Sequence, residues 1–325
     1  MSTTHAAHHV RNFADEILQQ TNFSLEGPIS YNGLSLIPIV PVRNSTINDE
    51  FINAAEAFET ENLIITEAGD AVNTIIAKNT GQKPILIEES EVLIAPNSQD
   101  RIVVSSVIIQ PGEEKRIPVK CVHAPHGLNR GSGFHSTGAG SLQLKSKVRR
   151  MKYQSIMTDV EHYQPETAVD QSEVWSEVER YCKTLGMKDP TKYTDALTKV
   201  QEKATEVAKE IRSSLPDNTC GVIVIDSKGE AVAFEMYRRP QAFQKRTGYL
   251  ESLTVELFNV DKKPLEGEAA WSSALQLLLK MKEIDDDKVA SKDDSESAMI
   301  GLDELRGEVV LAPGSESILY CSLSL

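Results

Sequence analysis

The sequence has no apolar run long enough to cross a bilayer, and its first residues, MSTTHAAHHVRNFADE, lack the apolar stretch of a secretory signal. A cytoplasmic protein without membrane contact is therefore expected. Basic charge is scarce: 34 Lys and Arg face 48 Asp and Glu, and the formal charge of −14 opposes general nucleic-acid binding or affinity for anionic lipid. Cysteine is sparse as well. Cys121, Cys182, Cys220 and Cys321 lie far apart with no C-x-x-C pair, so reduced, mostly buried thiols are expected rather than a disulfide frame. The absence of a G-x-x-x-x-G-K-[ST] loop and of a G-x-S-x-G elbow removes the motif-based cases for a nucleoside triphosphatase and a serine hydrolase.

What the chain does have is a series of strand-like runs from Glu67 to Val122. Lys83 to Ile87 (KPILI), Arg101 to Ile109 (RIVVSSVII) and Arg116 to Val122 (RIPVKCV) are rich in the branched residues that suit a pleated, half-buried surface. Pro111-Gly112 between the last two predicts a hairpin. The connection from Glu88 to Arg101 carries Glu88, Glu89, Glu91, Asn97, Gln99, Asp100 and Arg101 among apolar residues, and polar groups on such a connection at a sheet edge are a common basis for a ligand site. Before it, Phe13, Ile17 and Leu18 predict a helix over Val10 to Gln20. Leu34 to Val42 reads as a strand that two prolines would place at an edge, Ala54 to Thr60 as a helix, and Leu63 to Glu67 and Val72 to Lys78 as strand partners.

After it, Gly127 to Lys152 is basic and rich in glycine, with Arg130, Lys145, Lys147, Arg149, Arg150 and Lys152 and no acidic residue. Its plain reading is a loop followed by a solvated strand; its functional reading is a phosphate contact through Arg149 and Arg150, which can bind bidentately. Helices are predicted over the Val174, Val178, Tyr181, Leu185 stripe and from Asp189-Pro190 to about Ser213. A hairpin follows across Ser227-Lys228-Gly229-Glu230, then a short helix at Gln241 to Arg246, an element at Leu250 to Phe258, a helix at Trp271 to Met281, and paired strands at Glu308 to Leu311 and Ser317 to Leu323. The segment Asp285 to Ser297 is too polar to bury and reads as an exposed acidic insertion suited to a basic protein partner.

These elements predict an α+β fold: a helical extension over residues 1–30, then one composite domain over 31–325. Its halves are a strand-rich, mainly antiparallel one (31–153) and one of helices with a C-terminal β-hairpin (159–325). Cys121, His123, His126 and His135 fall near one another in sequence and offer thiolate and imidazole donors for zinc or copper, although C-x-H-x-x-H is no recognised ligand spacing.

The LIITEAG run at Leu63 to Gly69, the Ile85 to Arg101 segment, IPVKCV, QSEVW at Gln171 to Trp175 and GVIVIDSKGEAVAFEMYRRPQAF carry a resemblance. Together they resemble the family of proteins named for association with ADP-ribosylglycohydrolases and rhodanese-phosphatases, type one. The resemblance implies a Gly-Glu-Glu element followed by Gly-Ala-Lys-Gln-Asn-Arg. Glu91, Gln99 and Arg101 match it, whereas Ser90, Val92, Ser98 and Asp100 depart from it with one extra residue between. It also implies a link to ADP-ribose or other NAD-derived metabolites. The expected function is a non-catalytic binding module for an ADP-ribose-like or other phosphorylated metabolite, held by Glu67, Glu91, Gln99, Arg101, Arg149 and Arg150. The alternatives are a structural or protein-interaction component, and a hydrolase of an NAD-derived metabolite with Glu67 or Glu91 as general base.

Overall fold

The computed structural model describes residues 3–31, 33–42, 51–69, 71–96, 98–123, 133–246, 265–292, 296–313 and 317–325. The chain is α+β, with helices set against three sheets. The largest sheet has nine strands, all antiparallel. They are β1 (Phe23–Leu25), β2 (Ile29–Tyr31), β3 (Leu34–Pro41), β13 (Gly221–Ile225), β14 (Ala231–Tyr237), β15 (Val289–Ala290), β16 (Ser297–Leu302), β17 (Leu305–Leu311) and β18 (Ile318–Ser324). The β13/β14 hairpin forms where the sequence predicts it, with Gly229 at φ +86°, and β17 pairs with β18 as the C-terminal hairpin.

The second sheet has six strands in the order β12 (His135–Ala139), β8 (Glu91–Ile94), β9 (Arg101–Val103), β11 (Glu114–Cys121), β6 (Thr74–Asn79), β5 (Leu63–Glu67). A third, small sheet joins β10 (Val107–Ile109), β7 (Ile85–Ile87) and β4 (Ile52–Asn53), where β4 and β7 make the parallel pairing. The Arg101 to Ile109 run is thus two strands in different sheets. Ser105 and Ser106 divide it because their hydroxyls turn to the carboxylate of Glu308, 2.8 Å away in each case. Only its first part pairs with β11, Val119 lying opposite Val103.

Of residues 1–30, read from sequence as a helical extension, the described ones (3–30) pack into the main core. Helix α1 (Thr3–Leu18), longer than its periodicity predicts, lays Ala6, Val10, Phe13, Ala14 and Ile17 on the nine-stranded sheet beside helix α8 (Gly267–Lys282). Each such fully buried large side chain contributes roughly 1.5–3 kcal/mol of transfer free energy. Nor is β3 an edge strand. It has β13 along one side and β1 and β2 along the other, and Pro38 is tolerated because it falls where β1 has ended and β2 has not begun, so no ladder bond needs its missing N–H.

The opposite face of the large sheet meets the small sheet, the end of α6 (Tyr193–Ser214) and the short α7 (Pro240–Lys245) through Phe51, Leu86, Ile108, Ile211, Leu215 and Phe243. The six-stranded sheet is covered on one face by α5 (Gln171–Thr184) and α3 (Leu142–Thr158), and on the other by α2 (Ala54–Glu59), which has an Asn53/Glu56 capping box. From Leu142 onward the basic segment, which reads as a solvated strand, is helical. Ser141 caps α3, and Leu144 and Val148 anchor it in a core.

The acidic segment is not a free insertion. Val289 and Ala290 are buried and pair with β16, because two apolar residues suffice to close the sheet edge while Asp285 and Asp287 face solvent. The element expected at Leu250 to Phe258 lies outside the described residues. All four cysteines are free and buried.

Candidate functional site

Strand alternation sends every second residue of the six-stranded sheet to one face, and register decides which residues share it. Arg101 lies opposite both Leu93 and Cys121, Ile75 opposite both Glu67 and Ile117, and Ala139 opposite Glu91. Glu67, Glu91 and Arg101 therefore point to the same side, among the apolar residues that pack under α2.

Three of the residues expected to hold a ligand meet there. Arg101, with no exposed surface, donates from Nη1 to Gln99 Oε1 at 2.7 Å, and its Nη2 lies 3.5 Å from Glu67 Oε1. Ser98, at the position where the resemblance implies lysine, donates to the same Glu67 oxygen at 2.5 Å. Among the described residues Arg101 Nε and Glu67 Oε2 have no hydrogen-bond partner. Glu91 shares the face but not the cluster. It accepts from Ser136 and is paired with Arg246, whose Nη1 is also 3.6 Å from Glu88.

Ser90, where the resemblance implies glycine, adopts φ +65°, a left-handed conformation that costs a residue with a Cβ about 1–2 kcal/mol. Its buried hydroxyl has no partner among the described residues. Ser90→Gly should raise stability by up to about 1 kcal/mol after the gain in unfolded-chain freedom is subtracted. A higher midpoint in urea denaturation at unchanged slope checks this.

The two arginines predicted to neutralise phosphate are separated by the helix that carries them. Arg150 is exposed, while Arg149 is fully buried and bound to Glu89, to Ser322 Oγ at 2.7 Å and to Ser324 Oγ at 3.0 Å. Successive residues on a helix point about 100° apart, so neighbours in sequence need not share a site.

Arg149 belongs instead to a buried charged layer between α3, the large sheet and the Glu88–Glu91 turn. Glu89 pairs with Arg149 and Lys152, Glu308 with Lys152, Glu235 with Lys145, and Glu88 and Glu91 with Arg246. Tyr237 and Tyr320 donate to Glu88 and Glu235, each at 2.9 Å. Burial opposes ionisation of Glu89, yet Arg149, Lys152 and Lys145 together hold it down at about 2. Burial dominates at Glu88 and raises it above the usual carboxylate range against the pull of Arg246 and Tyr237. The layer thus sets five glutamates, Glu88, Glu89, Glu91, Glu235 and Glu308, against four basic side chains, Lys145, Arg149, Lys152 and Arg246. Sequence reasoning missed this layer. Its signal was the spacing of Lys145, Arg149 and Lys152 at i, i+4 and i+7, which puts all three on the stripe where a packed helix carries apolar residues.

Beside the Glu67–Arg101 pair a recess of about 390 Å3 opens between the β8/β12 edge and the start of α6. Ser98, Asp100, His123, His135, Lys192 and Thr194 supply its polar wall, and Ile94, Pro96 and Leu197 its apolar one. Thr194 Oγ1 donates to Asp100 Oδ2 at 2.7 Å, and His123 Nδ1 stands 4.0 Å from the same oxygen. Of the proposed metal donors, the Cys121 side chain meets the backbone of His123. The Cys121 thiol donates to the His123 carbonyl oxygen at 3.1 Å and accepts from its N–H at 3.3 Å, and burial pushes the thiol up, away from thiolate. His135 is an exposed residue on the recess wall. His126 lies outside the described residues. Among the described residues no group of three or more His, Cys, Asp or Glu is placed to hold a metal ion, and no helix is long and apolar enough to cross a membrane.

The model of one family, described as the ARG and Rhodanese-Phosphatase-superfamily-associated Protein domain, matches residues 22–323. No curated protein and no solved structure matches the chain.

Proposed function

This chain belongs to the ARG and Rhodanese-Phosphatase-superfamily-associated Protein family, and we propose that it is a non-catalytic binding module for a phosphorylated metabolite of the ADP-ribose kind. The observation that supports this reading is the recess next to Arg101, which gathers three kinds of recognition in one small-molecule-sized volume. The imidazoles of His123 and His135 suit phosphate oxygens, as does Lys192 once it leaves Asp195, its ion-pair partner at 2.8 Å in the same wall. Asp100, held by Thr194, suits the paired hydroxyls of a ribose, and the wall of Ile94, Pro96 and Leu197 suits the face of a base. The buried Glu67–Arg101–Gln99 cluster does not line the recess itself and supports it through Ser98, which bonds Glu67.

A hydrolase is the weaker reading. Glu67 and Glu91 are both bound to guanidinium groups, and neither lines the recess. Titration calorimetry of the whole chain with ADP-ribose is the test. Saturable binding is expected, and His135→Ala and Lys192→Ala should each weaken it by about tenfold, the size of one charge-assisted hydrogen bond. Absence of saturable heat, or affinity unchanged in both variants, overturns the assignment. Turnover of the ligand during the titration would favour the hydrolase.

A further inference from the structure

Asp100 stands one residue before β9 in the wall of the recess, buried except for 9% of its side chain. One of its oxygens is committed. Oδ2 accepts from Thr194 Oγ1 at 2.7 Å and lies 4.0 Å from His123 Nδ1. The other, Oδ1, takes no hydrogen bond or ion pair from any described residue, so the exposed remainder of the side chain presents an acceptor to the recess. Lys192 does not cancel this charge by contact. Its ammonium is paired with Asp195 at 2.8 Å and feels Asp100 only as a weaker, more distant charge.

What Asp100 meets in a ligand follows from α6. Thr194, Leu197 and Thr198 stand at i, i+3 and i+4 and share one face of the helix, which places apolar Leu197 one turn from the hydroxyl that holds Asp100. A base lying on Leu197 therefore brings its own ribose to the carboxylate, and the distal ribose lies further off.

Resting on the reading of the recess as an ADP-ribose site, we propose that Asp100 determines its specificity, accepting from the 2′-hydroxyl of the adenosine ribose and excluding ligands phosphorylated there. The ligand then descends from NAD-type and not NADP-type dinucleotides. In dinucleotide sites a carboxylate accepts from the free hydroxyl, whereas a cationic side chain accommodates the 2′-phosphate. A phosphate monoester at that position adds about 1.5–2 negative charges. It would stand against Asp100 in a wall where Asp195 is a second carboxylate.

Titration calorimetry of the whole chain with ADP-ribose, its 2′-phosphate and its 2′-deoxyadenosine analogue tests the proposal. The wild type should bind ADP-ribose at least about tenfold more tightly than either derivative. In Asp100→Asn the amide oxygen can still accept from Thr194 while the charge is gone, so discrimination against the 2′-phosphate should fall to about threefold or less. Each ratio compares two ligands on one protein sample, so partial unfolding of the variant does not mimic this result, and the wild-type series decides even if the variant does not fold. With ADP-ribose bound, three outcomes overturn the proposal alone: a 2′-phosphate bound as tightly, a 2′-deoxy analogue bound as tightly, or discrimination that survives in Asp100→Asn. No saturable heat with ADP-ribose overturns the reading of the recess, and this proposal with it.

Discussion

Glu89→Gln is expected to destabilise the folded chain by about 3 kcal/mol or more, whereas Glu88→Gln, one residue earlier, should change stability by less than about 1 kcal/mol at neutral pH. Both side chains are fully buried. They differ in what surrounds them. Glu89 faces Arg149 and Lys152 and is ionised down to about 2, so an amide in its place leaves Arg149 buried without its ion-pair partner and Lys152 with Glu308 alone. Burial raises Glu88 above its ordinary value, so its charge carries a desolvation cost that a neutral amide removes, with Tyr237 still able to donate.

The two also act oppositely on the pH dependence. The folded value of Glu89 is below its unfolded value of 4.5, so its contribution is complete above pH 4.5 and is lost as pH falls towards about 2. The folded value of Glu88 is above 4.5. The native state therefore binds the extra proton, and the stability linked to this group falls as pH rises past 4.5. Urea denaturation of wild type and both variants across pH 3–8, a range chosen to bracket that ordinary value of 4.5, checks the whole pattern. Equal losses for the two substitutions would show that the layer is not divided as its ion pairs indicate.

Arg101→Ala should also destabilise by about 3 kcal/mol or more, and adding Glu67→Ala should recover most of that loss. Removing the guanidinium alone leaves Glu67 buried with only the Ser98 hydroxyl as a donor, whereas removing both leaves no uncompensated charge. The double variant is thus the proper background for measuring ADP-ribose, since Arg101→Ala alone would lose binding merely by unfolding. If the recess is the site, the folded double variant should bind at least about tenfold more weakly, through the loss of the support that fixes Ser98. A double variant that unfolds as readily as Arg101→Ala would show that the pair's packing, rather than its charge balance, carries its role.

Local patterns determined much of this protein. The β13/β14 hairpin follows from alternating apolar runs around Ser227-Lys228-Gly229, and α5 and α6 follow from stripes such as Val174, Val178 and Tyr181. Glu67, Gln99 and Arg101 were legible as a polar group because they stand near strand ends among apolar neighbours, and the register does bring them together. These signals are short-range, because propensity, period and turn chemistry act over a few residues.

Which strands pair across the chain is another matter. β3 lies against β13, almost two hundred positions later, and Ser105 and Ser106 reach Glu308 in another sheet. No local period encodes such a choice; it is made when whole faces are buried together. The same reason governs the charged residues. Arg149 and Arg150 are chemically alike, and only the orientation of α3 against the two sheets puts one in water and the other beside Glu89. By itself the sequence determined the elements and the residue types available to a site. The tertiary structure decided which charges are desolvated, which are matched inside the protein, and which remain for a ligand.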